Sequence, residues 1–308
     1  MHRTLTGSIA VCARHRCGCK ALHSTCGAAW ALRRRLLHCR ALPCRTTIVT
    51  RSETDTPASE RVEESRVTDA RGALLFDRRR IAQADRLLLD PQHWAGRGRM
   101  EAARGGRGAV CFVRGEFGEA VIRHYRRGGL VGRVIRDRYL WTGEDANRAF
   151  REFRLLARLR ELGLPVPAPL AAGYARAGLF YRADLMTMAI PDSRTLAQWL
   201  AAGQGADFDW TGLGRLLARF HAAGAFHADL NAHNVMRDGD GALWLIDFDR
   251  GELRAPALDW QRANLQRLAR SLRKLGLEGA ALAQAWSAVG AGYVEAGGRA
   301  AACELTSG

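Results

Sequence analysis

Lysine is almost absent from this chain: it occurs only at Lys20 and Lys274, so nearly all of the 47 basic residues are arginine. No Asp or Glu lies in the first 44 positions, although the chain holds 31 of them. No apolar run approaches the roughly 18 residues of a membrane-spanning helix, so any contact with a bilayer is expected to be peripheral. Aromatic residues make up 7%, which argues against a surface of stacking platforms for single-stranded nucleic acid. No nucleic-acid module pattern and no internal repeat is visible, and the latter excludes solenoids and propellers.

What is present is a globular composition. A chain of 308 residues with 47% hydrophobic content can bury one large core or two lobes sharing a cleft. The net charge of +16 and a pI near 10.6 predict attraction to polyanions: nucleic acid, anionic lipid headgroups or phosphorylated substrates. Six of the eight cysteines fall in the first 44 residues. Their spacing fits no standard zinc pattern, and Arg33, Arg34 and Arg35 interrupt the only apolar stretch that a secretory leader would use. Residues 1–70 are expected to be a basic, Cys-rich extension and linker, dispensable for chemistry, with the folded domain starting near Ala73.

From Arg104 onward, two apolar runs, Ala109 to Val113 and Glu119 to Tyr125, predict a hairpin with a glycine cluster at its entrance. A helix follows in TGEDANRAFREFRLLARLRELGLPVP, with Thr142 and Asp145 as a capping box and Gly163 and Pro165 as the stop. Leu162, Leu155, Leu159, Leu156 and Phe153 form its apolar arc, with Glu152 in the middle. A buried carboxylate there must be paired or costly. LFYRADLMTMAI, residues 179–190, suits a buried strand. Helices are expected at TLAQWL, Trp210 to Ala223, 257–274 and 278–296, with short strands at Val235 to Met236 and Leu243 to Ile246.

Between these elements lie HADLNAHN, residues 227–234, and LIDFDRG, residues 245–251. The first has the spacing of the catalytic loop H-R-D-L-x-x-x-N, and the second falls at the place of D-F-G. Phosphoryl transfer from ATP needs donors over the phosphates, a cation on them, oxygen ligands for Mg²⁺, and a base beside the attacking hydroxyl. Asp229 is the candidate base, and Asn234 and Asp247 are candidate Mg²⁺ ligands. Arg123 is the phosphate cation where such enzymes carry Lys, with Glu152 as its partner. A planar fork replaces a point charge at that position. Gly105, Gly106 and Gly108 partly fit G-x-G-x-x-G, with Cys111 at the third glycine position. Arg126, Arg127 and Arg133 belong to a basic run that suits an anionic substrate. The plainer readings are polar turns, a structural Arg–Glu pair and a solvated basic loop.

Taken together, HADLNAHN, LIDFDRG, GGRGAV, VIRHYRRGGLVGRVIRDRY and LPVPAP resemble the lipopolysaccharide kinases, over roughly residues 73–295, including FYRADLMT and NLQRLARS. The resemblance implies an α+β, protein-kinase-like fold of two lobes within residues 71–300: a small antiparallel sheet lobe (about 73–188) with one key helix, and a mainly helical lobe (about 189–297). It implies transfer of the ATP γ-phosphate to the 4-hydroxyl of a 3-deoxy-D-manno-octulosonic acid (Kdo) sugar on a lipid A precursor. It also implies ATP and Mg²⁺ as cofactors and a peripheral place on the cytoplasmic face of the bacterial inner membrane. Asp229 matches the family's active-site Asp, and Asn234 and Asp247 its metal positions. Neither a nucleic-acid nor a protein partner is expected. Residues 1–70 have no counterpart in that family, and a start placed too far upstream is the expectation. The alternatives are a heptose kinase of the lipopolysaccharide core, an aminoglycoside-type phosphotransferase, and a basic nucleic-acid-binding protein on a degenerate kinase fold.

Overall fold

A computed structural model describes residues 61–101, 110–126 and 137–305. By internal contacts the chain divides into Met1–Arg51 and Ser52–Gly308, and every described residue belongs to the second unit. The glycines Gly105, Gly106 and Gly108, and the arginines Arg127 and Arg133, lie outside the described residues.

The first lobe opens with β1 (Glu64–Asp69) and β2 (Gly72–Asp77), then a 3-10 turn at Arg86–Leu89 and α1 (Pro91–Ala95). It continues through β3 (Met100–Glu101), β4 (Val110–Gly115), β5 (Gly118–His124), β6 (Tyr139–Leu140), α2 (Arg148–Glu161), β7 (Pro169–Ala177) and β8 (Phe180–Met188). The strands form one antiparallel sheet in the order β1-β2-β7-β8-β5-β4-β3, with β6 on β8. The second lobe holds β9 (Arg194–Thr195), α3 (Leu196–Ala201), α4 (Trp210–Ala222), β10 (Ala225–Phe226), β11 (Val235–Arg237), β12 (Leu243–Leu245), β13 (Glu252–Leu253), α5 (Leu258–Lys274) and α6 (Gly279–Glu295). This is the expected mixed architecture: an antiparallel sheet lobe followed by a mainly helical one.

Three expectations are corrected. The fold begins at Glu64, not near Ala73. β1 was unreadable because it is a largely exposed edge strand without an apolar run, held by backbone pairing to β2 and by ion pairs Arg66–Glu144 and Arg154–Glu64, both 2.9 Å. The cap of α2 is Asn147 rather than Thr142. Asn147 Oδ1 accepts from the amides of Ala149 at 2.9 Å and Phe150 at 3.3 Å, which satisfies donors that a helix start leaves open. At the other end Gly163, at φ +69°, turns the chain into a Schellman stop: its amide bonds to Arg160 O and that of Leu164 to Leu159 O. Leu162 consequently sits at the turn and is 41% exposed, outside the arc assigned to it.

Strand alternation sorts the sheet's side chains. Leu74, Phe76, Ile122 and Met186 pack toward Leu89 and Trp94. Ala73, Leu75, Tyr125 and Leu185 pack toward Phe150, Phe153, Leu156 and Leu159 of α2. Arg123, next to Ile122, therefore projects to the α2 face. In the second lobe α4 and α6 meet at backbone contact: a Cβ on Gly214 or on Gly292 would stand 2.0 Å from a carbonyl oxygen of the other helix.

His221 of α4 is buried in this helical core, with Nδ1 2.8 Å from the Tyr293 hydroxyl. Burial lowers its pKa from 6.5 to about 4. The fold thus holds the ring neutral, while the unfolded chain takes up a proton below pH 6.5. Its contribution is complete above about pH 6.5 and lost as pH falls toward 4, about 3 kcal/mol in all. Thermal melts of His221→Gln are expected to fall less steeply with acid across that window than those of the wild type.

Candidate active site

β5 carries Arg123 on the face that meets α2, and one helical turn after Arg148 brings Glu152 to it. Arg123 Nη2 donates to Glu152 Oε2 at 2.5 Å, and the Tyr125 hydroxyl donates to the same oxygen at 2.5 Å. Glu152 is buried in the middle of the apolar face, as its position in the arc required. Burial pushes its carboxyl above the ordinary range, opposed by the Arg123 guanidinium. Burial likewise pushes the Tyr125 phenol well up, with Glu152 adding to the effect, so that hydroxyl stays a donor. The second arm of the guanidinium, Nη1, donates to Asp247 Oδ1. One arginine therefore ties a strand, a helix and the acidic loop together, which is a task suited to a two-armed fork.

Asp247 has φ +63°. This left-handed bend after β12 turns the chain back on itself, and the Asp247 side chain is 38% exposed. Two residues on, Asp249 forms a bidentate pair with Arg148, the first residue of α2, through Nε at 2.8 Å and Nη2. The two residues lie 101 positions apart, so no local spacing in the sequence pointed to the pair. Helix α2 is thus tied to the acidic loop at two points, through Arg148 directly and through Glu152 by way of Arg123.

The HADLNAHN loop is held from inside. His227 Nε2 lies 2.9 Å from Ile246 O, and its Nδ1 accepts from the Asp229 amide at 3.2 Å. A carbonyl only accepts and an amide only donates, so the ring is the neutral tautomer with its proton on Nε2. Burial lowers its pKa in the same sense. His227 also packs against Phe248, with ring centroids 4.6 Å apart. Asn234, nearly buried, donates Nδ2 to Asp229 O at 2.9 Å, and its own carbonyl accepts from Ile246 N. Asn234 Oδ1 is thereby left as an acceptor beside the loop. Asp229 and Asp247 are brought to the two loops that these bonds lash together.

Helix α5 supports the loop from below, and the sequence reading assigned it no such role. Asn264 brackets the backbone of His227, accepting from its amide at 3.3 Å and donating to its carbonyl at 3.0 Å. Ser271 Oγ accepts from Ala232 N at 2.9 Å. Between them Arg267 Nη1 donates to Asp229 Oδ1 at 3.3 Å. The signal was available: within NLQRLARS the polar residues at 264, 267 and 271 fall on one helical face. Arg126 is exposed just past β5.

An oxygen-rich donor set of one carboxylate and one amide, Asp247 and Asn234, fits a hard divalent cation such as Mg²⁺. Comparison with known proteins agrees with the geometry. Residues 91–293 match the lipopolysaccharide kinase (Kdo/WaaP) family. A protein of Stenotrophomonas maltophilia (strain R551-3) named 3-deoxy-D-manno-octulosonic acid kinase is 54% identical over 205 residues, covering 66% of this chain and 81% of that protein. Proteins of the same name from Xanthomonas campestris pv. campestris (strain B100) and Xanthomonas oryzae pv. oryzae (strain PXO99A) are 54% and 53% identical over the same length and shares. The chain belongs to the lipopolysaccharide kinase (Kdo/WaaP) family and is a phosphotransferase acting on a hydroxyl acceptor.

Proposed function

We propose that this chain transfers the γ-phosphoryl group of ATP to the 4-hydroxyl of a Kdo residue on a lipid A precursor, in lipopolysaccharide core biosynthesis. The observation that supports this reading is the convergence of Arg123, Glu152, Asp229, Asn234 and Asp247, drawn from four separate stretches of sequence, on one set of interlocked bonds. Asp229 accepts the proton of the attacking hydroxyl, its carboxylate about half exposed. Arg123, held by Glu152, sets a fixed positive charge against the phosphates of ATP. Gly105, Gly106 and Gly108 supply backbone donors to them. Asn234 and Asp247 hold Mg²⁺, which when bound neutralises charge on the phosphates.

The test is label transfer from γ-labelled Mg·ATP to a Kdo-bearing lipid A precursor, alongside a heptose-bearing core acceptor. Label on the Kdo sugar is the expected result. Transfer to the heptose acceptor alone would replace the substrate and keep the kinase.

The same reading places the protein on the cytoplasmic face of the inner membrane as a peripheral protein. Two features of the first lobe support this. Leu140 of β6 and Leu179 of the β7–β8 turn are 54% and 70% exposed, on neighbouring strand ends. Arg138, Arg176 and Arg182 are exposed around them, and Arg176 lies over the Trp141 ring at 5.2 Å. Apolar tips ringed by arginine suit an anionic bilayer surface. Arg126, exposed just past β5, is assigned to the acceptor's phosphates together with Arg127 and Arg133 of the same basic run of sequence. Changing Leu140 and Leu179 together to Asp is expected to weaken cosedimentation with phosphatidylglycerol vesicles by about tenfold or more. Neutralising the three arginines is expected to raise KM for the lipid acceptor and leave KM for ATP nearly unchanged. Equal loss for both substrates would refute their assignment.

A further inference from the structure

Arg267 stands at the base without a fixed task. Its Nη1 makes a single bond to Asp229 Oδ1 at 3.3 Å, and the two side chains are 48% and 54% exposed. Among the described residues it shows no other partner. A single, half-exposed contact of this kind contributes little to stability and exchanges readily. A cation that stayed on the carboxylate would compete with the acceptor's hydroxyl for it. Its neighbours on the same helical face, Asn264 and Ser271, bind the loop backbone. The guanidinium is therefore mounted on helix α5 beside the carboxylate of Asp229, with its fork available to a second carboxylate.

We infer that Arg267 binds the carboxylate of the acceptor sugar and so selects a sugar acid over a neutral sugar, an inference that rests on the acceptor reading above. In Kdo the carboxylate lies on the carbon two positions from the one bearing the 4-hydroxyl, roughly 5 Å away at ordinary bond lengths. A hydroxyl positioned at Asp229 thus brings that carboxylate within reach of a guanidinium already touching Asp229. Arginine meets a carboxylate through two parallel N–H bonds, which fixes orientation as well as charge. A heptose has no carboxylate, and the same arginine facing it would be left without its partner. The residue acts on specificity, because binding the acceptor's carboxylate aims the hydroxyl at the base.

The experiment is a cycle over enzyme and acceptor: wild type and Arg267→Gln, each with the Kdo-bearing lipid A precursor and with its carboxamide. The wild type is expected to lose about 10- to 100-fold in kcat/KM on going from acid to amide, the range of a charge-assisted bond. Arg267→Gln is expected to lose a similar factor on the acid and almost nothing further on the amide. Arg267→Lys should recover part of the loss on the acid, since it restores charge without the fork. Thermal melts should coincide for all three proteins, given the exposure of the side chain. If Arg267→Gln lowers turnover by the same factor on acid and amide, the residue only positions Asp229 and the inference is overturned. Failure of the wild type to phosphorylate the acid acceptor at all would overturn the acceptor reading, and this inference with it.

Discussion

Asp229→Asn is expected to reduce phosphoryl transfer by about 10²- to 10⁴-fold, the usual worth of a positioned general base, with the melting temperature unchanged. The two halves of this expectation have separate causes. The bonds that hold the loop run through the backbone of residue 229: its carbonyl accepts from Asn234 and Asn231, and its amide donates to His227. None depends on the carboxylate. Among the described residues the side chain itself bonds only to Arg267, at 3.3 Å in a half-exposed setting. An amide of the same shape therefore keeps the loop and removes the proton acceptor. Single-turnover kinetics with saturating Mg·ATP would isolate the chemical step. A variant retaining more than a tenth of wild-type turnover would exclude Asp229 as the base.

Glu152→Ala is the substitution expected to damage both fold and activity. The carboxylate is the common acceptor for Arg123 and the Tyr125 hydroxyl, and it lies inside the apolar face of α2. Removing it leaves a buried hydroxyl without its acceptor and takes one of two carboxylates from a part-buried cation, at a cost of about 3 kcal/mol. For a domain of this size that corresponds to a fall of about 10 °C in Tm. Arg123 would be left with Asp247 as its remaining carboxylate, and that pairing draws Asp247 away from a cation and the guanidinium away from phosphate. Activity should thus fall by more than the loss of folded protein accounts for. Tyr125→Phe, which deletes one donor and leaves the ion pair, should cost only about 1 kcal/mol. Differential scanning calorimetry of the two variants provides the comparison, and equal Tm shifts would refute the central place of the Arg123–Glu152 pair.

Elements with a strong apolar period were legible in the chain. The β4–β5 hairpin, β8, α4, α5 and α6 lie where alternation or helical spacing put them, because each buries one face and must repeat at its own period. The position of Glu152 within an apolar arc already required a partner. What escaped was structure built by backbone pairing or by distant charges. β1 shows no apolar run because an exposed edge strand needs none. Asn147 and Thr142 are equally good caps in sequence, and only the path of the loop before α2 decides between them. Arg148 with Asp249, and Arg267 with Asp229, join residues 101 and 38 positions apart, and no local spacing encodes such pairs.

By itself the sequence determined the inventory: a base, two oxygen ligands, one cation with its carboxylate, and an order of elements that belongs to a two-lobed kinase-like fold. That information is local, since loop spacing and side-chain chemistry sit within short stretches. Only the tertiary structure decided how the inventory is connected. It gave Arg123 two carboxylates rather than one, tied α2 to the acidic loop twice, and set the underside of the catalytic loop on α5. The reason is physical: buried polar groups must find partners wherever packing places them, and which partners those are depends on how the lobes and helices meet.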